Sequence, residues 1–104
     1  MYRVYVIELS SKAASKLAGE IKPPRIPWVY VGSSWLEPEK RFEIHRAGGL
    51  RASSVVRDFG RCLRPDLYED LAPTDSRELA VQLESERARE LAATGFTAHT
   101  DGKT

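Results

Sequence analysis

A chain of 104 residues with 41% apolar and 30% charged residues has the size and composition of one globular domain, and a net charge of only +1 excludes a disordered polyelectrolyte. No apolar run approaches the ~20 residues that span a bilayer, and Met-Tyr-Arg-Val opens neither a signal peptide nor a transit sequence, so the expected compartment is the cytoplasm, with no membrane partner. A lone Cys62 forms no internal disulfide, and no Cys/His grouping has zinc spacing.

Residues 2–9 (YRVYVIEL) are rich in β-branched and aromatic side chains and predict a strand with Tyr5 near its middle. Residues 10–21 hold small helix-tolerant residues around Ala13, Ala14 and Leu17, and then Gly19 with Pro23, Pro24 and Pro27 forces an extended connection. Residues 10–27 are thus a short helix and a loop inserted between strands. Residues 28–32 (WVYVG) predict a second strand, antiparallel to the first. Pro38 suits a first helical turn and Gly48-Gly49 an exit, which predicts a helix over 38–47. Ser53 or Ser54 caps a second short helix through Val55, Val56 and Phe59 to Gly60, and Arg64-Pro65-Asp66-Leu67-Tyr68 predicts a turn into a short third strand. Asp75 followed by Glu78 makes a capping-box-like start for a last helix over 76–94 that stops at Gly95. Residues 96–99 are a candidate final edge strand. The expectation is one α/β domain over 1–104, a small, largely antiparallel sheet with helices packed on it.

Charge is segregated along the chain. Residues 40–64 carry seven basic groups against Glu43 and Asp58, and residues 65–90 carry eight acidic groups against Arg77, Arg87 and Arg89. Such a pattern suits polyanion binding beside a cation-binding carboxylate, and equally suits solvated faces that pair with each other.

Arg41 and His45 lie four apart and project from one helical face, where a forked guanidinium suits phosphate oxygens and an imidazole can relay a proton. The structural alternative is a surface ion pair of Arg41 with Glu37 and a core histidine. Tyr5 and Tyr30 lie in strands that can pair, so their hydroxyls can meet beside that helix; a phenol is also a common core filler with a polar tip. On the last helix Leu79, Ala80, Leu83, Arg87, Ala88 and Leu91 trace a largely apolar stripe with Glu84 inside it. A carboxylate on an inward face is costly unless it meets a cation, so Glu84 is either a metal ligand or half of a buried ion pair with an arginine.

In this order the residues resemble the GIY-YIG nuclease superfamily: Val4-Tyr5-Val6 for the first signature strand, Tyr30-Val31-Gly32 followed by Ser33 for the second, Arg41 with His45 on the helix, and Glu84 late in the chain. The likeness runs from Tyr2 to about Phe96. It departs at Arg3, where the first motif has glycine, in the long connector from Tyr5 to Tyr30, and in the complete lack of asparagine. What the resemblance implies is a three-stranded antiparallel sheet flanked by helices and metal-dependent endonucleolytic hydrolysis of a nucleic-acid phosphodiester, DNA in preference to RNA. One Mg²⁺ or Mn²⁺ on Glu84 would stabilise the leaving oxygen, with Arg41 on the phosphoryl charge and Tyr5, Tyr30 or His45 activating water. Lys40, Arg46, Arg51, Arg57, Arg61 and Arg64 are expected to touch phosphates without reading bases. The rival expectation is a degenerate module of the same fold that binds nucleic acid or a protein partner without cleaving.

Overall fold

The computed structural model describes residues 1–10, 28–48 and 53–100. Strand β1 is Arg3–Leu9 and β2 is Trp28–Ser34, and they pair antiparallel without interruption from Arg3↔Ser34 to Leu9↔Trp28. Their β-branched and aromatic runs are buried at nearly every position, which marks a strand pair covered on both faces. Helix α1 is Pro38–Ala47, α2 is Ser54–Phe59, β3 is Gly60–Leu63, a 3₁₀ turn spans Pro65–Leu67, α3 is Arg77–Ala93 and β4 is Thr97–His99.

The sheet has four strands in the order β3-β1-β2-β4. The expected three-stranded antiparallel sheet is therefore revised: β3 is antiparallel to β1, with a shift in register between Glu8 and Leu9, and β4 adds to β2 in parallel. The third strand also comes earlier than expected. Residues 60–63 pair with β1, and the Pro65 segment that was expected to lead into a strand forms the 3₁₀ turn instead, consistent with proline's fixed φ and missing N–H. The expected helix within 10–21 lies outside the described residues.

Pro38 occupies the first turn of α1, and Gly48 ends it in the left-handed region at φ 78°, where a side chain would be strained. At α3 the cap is Ser76 in place of the expected Asp75: the Ser76 hydroxyl accepts the Leu79 N–H at 3.1 Å. Ala80, Glu84 and Leu91 form the buried side of α3, while Leu79, expected within the apolar stripe, is exposed. Helix α1 leans on β1 and β3, and α3 crosses β2, β4 and β1. Val4, Val6, Ile7, Leu9, Val29, Val31, Val55, Val56 and Leu91 fill the space between.

Candidate active site

Because antiparallel partners share a face, the Tyr5↔Gly32 and Ile7↔Tyr30 rungs put both tyrosines on one side of the sheet. Tyr5 lies across Gly32: a Cβ at position 32 would stand 2.6 Å from the Tyr5 hydroxyl and 2.9 Å from the Tyr30 ring. Only glycine leaves room for that ring. From the next layer α1 presents His45, whose Nε2 lies 2.7 Å from the Tyr5 hydroxyl and whose Nδ1 accepts the Ser53 N–H at 2.8 Å. With Nδ1 occupied as an acceptor, the neutral ring carries its proton on Nε2 and donates it to the Tyr5 oxygen. The Tyr30 ring closes the group, 5.7 Å centroid to centroid from His45 and 6.3 Å from Tyr5, with His99 of β4 on its other flank at 6.1 Å.

Glu84 meets the same end of the sheet one rung along. Ser33 is the partner of Val4, so the pleat turns it to the face opposite Tyr5, and there its hydroxyl donates to a Glu84 carboxylate oxygen at 3.1 Å. The other carboxylate oxygen accepts from the Thr100 hydroxyl. Tyr5, Tyr30 and His45 therefore lie on one face of the sheet and Glu84 with Ser33 on the other. Arg41 is buried on α1, one turn before His45. All five are covered, with Tyr5, Tyr30 and His45 at 0%, Glu84 at 1% and Arg41 at 2% exposure. Among the described residues no group of three or more His, Cys, Asp or Glu side chains could hold a metal ion. The donor set at Glu84 is one carboxylate and two hydroxyls, all oxygen, and both carboxylate oxygens already accept from those hydroxyls.

No sequence signal marks Ser53 or Thr100 for the site, although Ser53 is an expected helix cap. Its backbone N–H, not its hydroxyl, is what His45 uses, and backbone donors leave no mark in residue type.

The basic residues expected on a nucleic-acid surface are largely engaged with carboxylates. Lys40 lies 3.8 Å from Glu43, Arg57 3.0 Å from Asp58, Arg61 3.5 Å from Glu8, and Arg64 bridges Glu8 at 3.2 Å and Asp66 at 2.9 Å. Arg46 stacks over the Phe42 ring, and Arg51 lies outside the described residues. No helix among the described residues is long and apolar enough to cross a membrane. Comparison with protein-family models, with curated proteins and with solved structures finds no match.

Proposed function

We propose that the chain is a GIY-YIG-like phosphodiesterase domain in which Tyr5 is the proton acceptor for an attacking water and His45 orients it. The observation that carries this reading is the hydrogen-bonded chain Ser53 N–H, His45, Tyr5 oxygen, closed by Tyr30 and made possible by Gly32. In this reading the Tyr5 oxygen, which already accepts from His45, takes the proton from water as a phenolate. His45 already carries its proton on Nε2, which ranks Tyr5 above His45 as the base. Arg41 would steady the phosphoryl charge with its planar donors. A divalent ion held by Glu84 would supply charge stabilisation at the leaving oxygen. DNA is the preferred substrate class.

One observation favours the rival, a non-cleaving module of the same fold: each of the five side chains is 98% buried or more, as expected of a polar network that fixes helix α1 and the sheet together. Purified protein incubated with labelled structured DNAs and RNAs in Mg²⁺, Mn²⁺ or EDTA separates the two. The enzyme reading expects metal-dependent cleavage that Arg41→Ala and Glu84→Gln abolish, with nucleic-acid binding by Glu84→Gln kept or strengthened. Binding without cleavage under every metal condition selects the rival, and a protein that neither binds nor cuts overturns the nuclease reading and leaves of the rival only a module that binds a protein partner.

A further inference from the structure

Away from the tyrosine cluster, the start of β1, the first turn of α1 and the segment after β3 enclose a cleft of about 250 Å³. Its floor is apolar, from Val4, Pro38, Pro65 and Leu71, and its polar lining is Arg3, Glu37, Glu39, Tyr68 and Glu69. Arg3 and Glu37 lie 3.6 Å apart, which accounts for one of the three carboxylates. Glu39 and Glu69 have no ion-pair partner among the described residues, so the cleft keeps an excess of negative charge.

Tyr68 is the second, independent feature. It is only 9% exposed, it lines the cleft, and no hydrogen bond to its hydroxyl is present among the described residues. The ring is covered while the hydroxyl keeps access to water at the cleft, where it can meet a ligand donor. Burial, and then the fields of Glu39 and Glu69, push its ionisation up, so it presents a neutral hydroxyl flanked by two carboxylates.

We infer that this cleft binds an organic cation, an alkylguanidinium or alkylammonium group whose apolar stem rests on Pro38, Pro65 and Leu71 while its charged head meets Glu39, Glu69 and the Tyr68 hydroxyl. The volume fits a short stem and one head group, at the small end of ligand sites. A phosphate would face net repulsion here, which separates this cleft from any nucleic-acid surface. The same head group can come from a free amine metabolite or from an arginine or lysine side chain of a protein partner.

The test is an amide-resolved NMR titration of the full chain with n-butylguanidinium, with a blocked peptide bearing a single arginine, and with n-butanol as the uncharged control. Saturable shifts at Arg3, Glu39, Tyr68 and Glu69 with the two cations, and none with butanol, support the site. Both carboxylates being exposed, the Glu39→Gln/Glu69→Gln variant should fold normally and bind the cations about three- to tenfold more weakly. Tighter binding of the peptide assigns the site to a protein side chain, and binding of butylguanidinium at least as tight assigns it to a small molecule. Equal response to butanol, unchanged affinity in the double variant, or no response to either cation overturns the inference.

Discussion

A buried imidazole that accepts a backbone N–H at Nδ1 has only Nε2 left to donate, and this fixes what Tyr5 must do: its oxygen is the acceptor that keeps His45 satisfied at 0% exposure. Tyr5→Phe therefore leaves a buried N–H without its partner and should cost about 1–3 kcal/mol in denaturant unfolding. If Tyr5 is also the base, the same change should reduce cleavage by about a hundredfold or more, an effect beyond any loss of folded protein. Activity that follows the folded fraction alone would leave Tyr5 a structural residue. Gly32→Ala probes the same contact from beneath, because the added methyl meets a phenol ring that is pinned on its far side by His45. It should destabilise by about 1–3 kcal/mol, and full stability would mean that the ring has another place to go. Tyr5, Tyr30 and Glu84 stand out in the sequence as polar groups within apolar patterns, and Arg41 with His45 by their spacing of four on one helical face. Their division between two faces is not legible there, since it depends on whether Ser33 or Gly32 opposes Tyr5, a matter of register that residue type leaves open.

Elements whose signals are local were the ones the sequence disclosed. Helix α1 starts at Pro38 and ends before a left-handed Gly48, and β1 and β2 announce themselves by β-branched runs. Strand β3 gives no such signal: Arg61 and Cys62 are exposed, and its strand character comes from a distant partner, β1. The parallel docking of β4 on β2 is likewise a long-range outcome. Helix α3 is anchored through Arg87, which donates to the Leu67 carbonyl at 2.8 Å, to both oxygens of Asp70 at 2.8 and 2.7 Å, and to Glu90 at 2.9 Å. Hydrogen bonds from Arg87 hold the Asp70 carboxyl below its ordinary value of 3.8, despite some opposing desolvation. A depressed carboxylate contributes stability that is present above its unfolded value and is lost as pH falls through the folded one. Asp70→Asn should therefore be less stable than the wild type at neutral pH, and the gap should close as pH drops below about 4. A gap that stays constant from pH 7 to pH 2, measured by urea unfolding, would mean that the ion pair contributes nothing to the hold on α3.

At the scale of the whole molecule, the segregated charge of the sequence turns out to be met largely by near neighbours, with Glu8, Glu43, Asp58 and Asp66 taking up Lys40, Arg57, Arg61 and Arg64. Most of these carboxylates lie outside the acidic 65–90 segment, because the sheet brings Glu8 of β1 beside β3. A paired arginine that turns to a phosphate leaves a carboxylate facing the same polyanion, so it neutralises less than a full charge. Arg46, over Phe42 with no ion pair among the described residues, does not meet that opposition. Nucleic-acid affinity should accordingly fall with salt at a log–log slope of about −1 to −2 on duplex DNA, far shallower than five or six open arginines would give, since each phosphate neutralised contributes about −0.9. Arg46→Ala should flatten the slope by about one. Glu8→Gln should do the reverse, releasing Arg61 and Arg64 together, steepening the slope by about one to two and tightening binding at low salt. If the slope of Glu8→Gln equals that of the wild type while Arg46→Ala still flattens it, the β3 edge faces away from the nucleic acid and contact runs through α1 alone; if neither variant moves it, the basic segment is solvated exterior and any polyanion binds elsewhere.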